Sequence, residues 1–229
     1  EVMRTFIAAN VLKSIAYNLN RGVKNLKFFE MGKIFFLDVS SLPIEYPSVC
    51  FAMTGREREY FWRDPCPEYD FFDIKGVVEG LADRLGLEIS VMRSAEEFLN
   101  RNRAADVMVG DTKIGWMGEI KDEVLRSYGI EQAVYCAELR SDLIAQHGSV
   151  DAKYRPIPRF PQVTRDFAFY MDEKTPVGAI IDRIKGISPL ITAVGVFDMF
   201  KKDTKSIALR VVFQSHEETL TDEAVNALQ

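Results

Sequence analysis

Three stretches of the chain carry side chains whose types and spacing could do chemistry: residues 165–171 (RDFAFYM), 197–200 (FDMF) and 206–213 (SIALRVVF). In the first, Phe167, Phe169 and Met171 hold alternate positions; in the last, Ile207, Leu209, Val211 and Phe213 do the same. A period of two marks strands with one buried side. Asp166, Ala168 and Tyr170 then share the opposite side with Ser206, Ala208 and Arg210. If the chain turns through residues 201–205, Asp198 joins them, diagonal to Ser206. Such a face could read an unstacked base. Small residues let the flat ring approach the backbone, Asp and Ser supply acceptors and donors for its Watson–Crick edge, and Arg and Tyr stack or hold phosphate. The same pattern also fits an ordinary solvated sheet face. The aromatic signature of an RNA recognition motif is absent.

The elements that must position these residues read as strand, helix, strand, strand and the start of a helix. That order is most of a ferredoxin-like split βαβ unit, βαββα, and it predicts an α+β domain. Leading into it, Lys153, Arg155, Arg159 and Arg165 are opposed only by Asp151 before Asp166, with Tyr154 and Phe160 interleaved. Prolines 156, 158 and 161 hold that arm extended. Two readings fit the arm, a solvated linker or an approach that contacts phosphates. A boundary is expected near residue 150, where Gln146, His147, Gly148 and Ser149 form a polar turn. It separates residues 1–148 from residues 149–229.

The first part reads as an antiparallel sheet with covering helices. Residues 3–20 carry apolar side chains at helical spacing, and residues 71–86 form a second helix stopped by Gly86. Strands are expected at 25–37, 49–54, 105–109, 113–120 and 133–139, with a short helix at 121–128. Pro43 and Pro47 suggest a turn, and residues 57–69 a surface excursion.

At 229 residues, 47% hydrophobic and 28% charged, the chain is long enough for one large or two modest domains. It has neither an apolar run of membrane-spanning length nor a signal peptide. Cys50, Cys66 and Cys136 lack metal or disulfide spacing and read as buried thiols of a reducing, cytoplasmic setting. His147 and His216 stand without partners at ligand spacing. The net charge of −5 argues against a generic nucleic-acid coat. The acidic excess lies before residue 150, because the remainder carries 11 basic and 11 acidic residues. Nucleotidyl transfer needs arginines on the phosphates and acidic Mg²⁺ ligands. No Gly-rich phosphate loop and no Arg-x-Glu strand supply them, and lone Glu30, Arg103 and Glu119 read as packing or hydrogen-bonded residues. The chain begins at Glu1 and stops just after a helix start, as an excised piece of something longer would.

RFPQVTRDFAF (159–169), FDMF, SIAL (206–209) and HEETLTDEAVN (216–226) resemble the anticodon-binding domain of the bacterial phenylalanyl-tRNA synthetase β subunit. MRTFIAANVLKSIAYNLNRG (3–22), LKFFEMGKIF (26–35), YDFFDIKGVVEGL (69–81), FLNRNRAADV (98–107) and IGWMGEI (114–120) resemble its catalytic-like module, in the expected order. One departure is the family's usual HPGRSA stretch, which here is NRNRAA (100–105), keeping only Arg103 and Ala105.

The resemblance implies a class II synthetase-like antiparallel module that has lost adenylation, followed by an anticodon-binding ferredoxin-like domain. That domain is expected to keep three strands, without its last one, and so an exposed edge beside the first. Recognition of the first anticodon base falls by resemblance to Ala168, through its backbone, Asp198 and Ser206. Arg155, Arg159, Arg165, Tyr170 and Arg210 are weaker candidates for RNA contact. The implied partners are the α subunit, in an α2β2 heterotetramer, and tRNA-Phe. ATP and Mg²⁺ would belong to the holoenzyme; this piece alone would have no cofactor, catalytic residue or metal site, and would neither activate nor edit. One rival reading is a ferredoxin-like regulatory module that senses a small molecule at a dimer interface, although residues 201–205 hold no Gly-rich ligand loop. Another is a self-sufficient class II ligase, which would need ATP-site arginines that the sequence does not place.

Overall fold

The computed structural model describes residues 3–37, 42–63, 66–149, 156–172, 175–201 and 205–228. The chain forms two compact units, residues 1–152 and 153–229.

In the first unit the elements are α1 (Ala8–Leu19), β1 (Leu26–Leu37), β2 (Pro43–Thr54), α2 (Phe71–Arg84), β3 (Ile89–Arg93) and β4 (Leu99–Val109). There follow β5 (Thr112–Ile120), α3 (Asp122–Ser127), β6 (Val134–Arg140) and α4 (Ser141–His147). The six strands form one antiparallel sheet in the order β1-β2-β6-β5-β4-β3. Each side of it has its own core. Helix α1 buries Val11, Leu12 and Ile15 with Ile34, Cys50, Trp116 and Cys136. On the other side α2 buries Ile74, Val78 and Ala82 with Val49, Met53, Val107, Met117 and Ala137. Alternate residues of the central strands therefore feed opposite cores, which makes β6 apolar along its length.

Helix α2 starts where its sequence says it must. The Asp70 carboxylate accepts the Phe72 and Asp73 N–H groups, and the Asp73 carboxylate in turn accepts the Asp70 N–H at 2.7 Å. Gly86, at φ +61°, ends it. Contrary to the expected turn at Pro43 and Pro47, both lie inside β2. β6 pairs β2 only from Ser48 to Thr54, so the two prolines occupy a stretch with β1 on one side and no ladder on the other. The 57–69 excursion is pinned at its base. Arg56 donates to the Cys66 carbonyl and pairs with Glu68 at 2.8 Å, leaving Tyr60, Phe61 and Trp62 exposed. All three cysteines are buried free thiols.

The second unit is β7 (Val163–Met171), α5 (Val177–Lys185), β8 (Ile191–Lys201), β9 (Lys205–Phe213) and α6 (Asp222–Asn226), the βαββα order read from the sequence. Among the described residues its antiparallel sheet has three strands in the order β7-β9-β8, with β7 at an edge. Ile207, Leu209, Val211 and Phe213 are buried on the helix side, where Phe167, Ile184 and Val225 pack around the inner end of the sheet. No described helix is long and apolar enough to cross a membrane.

Candidate nucleic-acid interface

The strand register places the chemistry-bearing residues of the second unit in three rows on the side opposite the helices. In the first, Asp166 lies across from Arg210, and the guanidinium donates to both carboxylate oxygens at 2.8 Å. In the second, Ala168, Ala208 and Asp198 lie abreast. In the third, Tyr170, Ser206 and Phe200 do so. Ala168, Asp198 and Ser206 thus share one face within two adjacent rows, and Asp198 sits diagonal to Ser206.

A bulge in β8 brings Asp198 there. The pairing shifts between Val196, opposite Leu209, and Asp198, opposite Ala208, so Phe197 is an extra residue on its strand. Its ring lies under the Arg210 guanidinium, 4.9 Å from the centroid. The face is therefore not only small and polar. Tyr170 is 83% exposed, Phe200 63% and Phe197 50%, so three aromatic rings surround the small residues. Phe200 could have been found two residues beyond Asp198 by the same alternation. Phe197 could not, because nothing local announces the bulge.

The charges on the face are organised. The Arg210 hydrogen bonds hold the Asp166 carboxyl below the usual carboxylate range, and Asp166 in turn raises Arg210. Asp198 accepts the Met199 N–H at 2.8 Å, which fixes its carboxylate beside the row of alanines.

The other sequence candidates fall elsewhere. Arg165 has the parity of Phe167, on the helix side of β7. There it ion-pairs with Asp222 in the first turn of α6 and donates to the Thr164 carbonyl, so the structure does not bring it together with the three rows of the open face. Arg159 is exposed in the approach to β7, which bends at Arg159 and Phe160 rather than running extended as expected, and the Phe160 carbonyl accepts from Gln214 Nε2 at 2.9 Å. Arg155 lies outside the described residues, as do residues 202–204 of the expected turn.

In the first unit, the divergent stretch 100–105 is part of β4 and folds onto Glu119. That carboxylate accepts from Asn100 Nδ2 at 2.9 Å and from Arg103 at 3.0 Å to each oxygen. Two further cations of the sheet are likewise committed: Arg140 to Asp142, with its guanidinium 3.5 Å over the Tyr46 ring, and Lys113 to Glu96 and Asp106.

A small antiparallel sheet with helices on one side and small, polar and aromatic side chains on the other is a module whose open side offers an unstacked base a surface to lie on. Comparison with known proteins places that module: residues 158–229 match the ferredoxin-fold anticodon binding domain. Residues 1–141 match the phenylalanyl tRNA synthetase beta chain CLM domain, and the chain belongs to the phenylalanyl-tRNA synthetase beta chain family. The phenylalanine–tRNA ligase beta subunit of Dehalococcoides mccartyi (strain CBDB1) is 30% identical over 100% of this chain and 29% of its own length. That of Bacillus licheniformis is 31% identical over 98% of this chain and 29% of its own. That of Symbiobacterium thermophilum is 33% identical over 96% and 26%. The chain thus spans less than a third of the length of these relatives. Nothing in the matches supports the sensor alternative, since the ferredoxin-fold half aligns with an anticodon-binding domain.

Proposed function

We propose that this chain serves in the β subunit of a phenylalanine–tRNA ligase, where its second unit reads the first anticodon base of tRNA-Phe and its first unit is a non-catalytic scaffold. The observation that carries the reading is the pairing of Ala168, Ala208 and Asp198 abreast, next to Ser206, on a sheet side free of helices. A base lying flat on the alanines meets no Cγ atoms. Asp198 and Ser206 then offer an acceptor and a donor to its edge, and Tyr170 or Phe200 a ring to stack on, worth roughly 1–3 kcal/mol per base. Arg210, held by Asp166, and Arg159 in the approach supply positive charge for the backbone.

Adenylation with ATP and Mg²⁺ falls in this reading to an α subunit in an α2β2 assembly, a division supported by Arg103 and Arg140 being paired with Glu119 and Asp142. The assembly would act in the cytoplasm. Tyr60, Phe61 and Trp62, exposed together on one loop, suit a subunit contact.

The test is binding of tRNA-Phe and of a transcript altered at the first anticodon position by the full-length subunit in its assembly. Asp198→Ala is expected to abolish discrimination between the two RNAs while leaving the fold and binding of the rest of the tRNA intact. An unchanged preference would remove Asp198 from the site.

A further inference from the structure

Beside the row of alanines, the open face of the second unit holds another flat surface. Asp166, Arg210 and Gly195 lie abreast there. Asp166 accepts from Arg210 Nε and Nη2, each at 2.8 Å, and the two parallel bonds fix the plane of the guanidinium. Against that plane lies the ring of Phe197, the residue that the β8 bulge adds. The carboxylate takes one edge of the guanidinium and the ring one face, and the Arg210 side chain is still 52% exposed. What it offers to solvent is its other face. A planar cation backed by an aromatic ring is a surface on which nucleobases stack.

Gly195 leaves room for such a base. A Cβ built on it would meet no atom within 4 Å, so among the described residues no neighbouring backbone needs the space. Its φ is not positive, so no turn requires a glycine either. A glycine inside a strand gives up packing and costs entropy, and it often marks a place that a ligand approaches closely.

The spacing suits a second nucleotide. Rows two residues apart along β9 are separated by about 7 Å, which one sugar–phosphate unit can span when the bases are unstacked. β9 ends at Phe213, and the next residue, Gln214, donates to the Phe160 carbonyl, one residue from Arg159. A strand of RNA that leaves the alanine row along β9 in that direction crosses Arg210 before it reaches Arg159.

We infer that Arg210, held flat by Asp166 and Phe197 beside Gly195, is a stacking site for the base adjacent to the first anticodon base. This rests on the reading proposed above, in which the first base lies on Ala168 and Ala208. The second stack adds affinity and holds the strand in register for Asp198 and Ser206.

The test measures binding of tRNA-Phe transcripts by the full-length subunit in its assembly. Two transcripts carry a single abasic nucleotide, one just before and one just after the first anticodon position. One of the two is expected to bind roughly 5- to 100-fold more weakly than intact tRNA. Gly195→Val suits a strand and fills the space without striking a neighbour, and Arg210→Lys keeps the charge but removes the plane. Each variant should weaken intact tRNA by a similar factor, yet bind that abasic transcript as well as the natural protein does. The inference is overturned if neither abasic transcript binds more weakly, or if the abasic loss persists undiminished in Gly195→Val, which decides the matter even where Arg210→Lys disturbs the sheet. A transcript altered at the first anticodon position, titrated alongside with Asp198→Ala, keeps the two readings apart. First-base preference that depends on Asp198, with no abasic loss, overturns this site alone; absence of both effects removes the proposed RNA face with it.

Discussion

Glu138 shows how much one side chain can hold that its own strand does not reveal. Helix α1 begins at Ile7 with no side-chain cap of its own. Its Ala8 N–H is donated instead to this carboxylate, from a position 130 residues away. Burial pushes the Glu138 carboxyl up, partly offset by the Ala8 and Ile7 N–H groups, the Ser48 hydroxyl and Arg4. A raised value means the folded chain holds this proton more tightly than the unfolded one. The contribution is therefore complete below the ordinary carboxylate pKa of about 4.3 and is lost as pH rises through the raised value. Glu138→Gln keeps an acceptor for Ala8 and removes the titration. Its stability, from urea unfolding at a series of pH values, is expected to fall less than that of the natural sequence as pH rises from about 4 to 7. Parallel curves would show that burial does not cost the ionised form. Glu138→Ala removes the cap altogether and is expected to cost about 1–2 kcal/mol. Local pattern could not reveal this bond, because capping rules look only a few residues either side of a helix start, and the acceptor comes from the sheet's central strand.

At the scale of elements, legibility followed the source of each element's stability. Helices α1 and α2 announce themselves by an apolar stripe, and α2 also by its cap. The β4–β5 hairpin does so by Gly110, at φ +55°. β3 passes unread because none of its five residues is buried, and α4 because its seven residues bury only Ile144. The face proposed to read a base is partly legible. Alternation along β7 and β9 is enough to set Ala168, Ser206 and Arg210 on one side, whereas Phe197 depends on a bulge and Arg165 belongs to the helix side. The β5–β6 pair supplies a test of packing. A Cβ on Gly115 would come 2.2 Å from the Glu138 carbonyl and 2.8 Å from the Leu139 Cα, both backbone atoms of the paired strand. Gly115→Ala must therefore push the two central strands apart, at an expected cost of about 1–3 kcal/mol. Denaturant unfolding measures that cost, and amide exchange in Met117 and Ala137 should quicken with it. Protection equal to that of the natural sequence would mean that the strands meet less closely than the structure has them.

For the molecule as a whole, a net charge of −5 and a pI near 5.3 oppose RNA at long range. If the proposed reading holds, affinity must come from a few cations placed where the phosphates run, with base-edge contacts adding choice rather than strength. Arg159 and Asp198 separate these contributions. Arg159 is exposed in the approach to β7 and, unlike Arg210, is not fixed by a neighbouring carboxylate among the described residues. Arg159→Ala is expected to weaken binding to every RNA by the same factor. It should also flatten the plot of log affinity against log salt by about 0.7–0.9, as follows when one phosphate is no longer neutralised by the protein. Asp198→Ala should do the reverse, leaving the salt slope alone and erasing base preference, since a carboxylate releases no counterions from the RNA. Titrations from low to moderate salt with both RNAs decide the matter. If Arg159→Ala changed base preference while the slope stayed fixed, the approach segment would be reading sequence, and the division of labour between arm and sheet would be wrong.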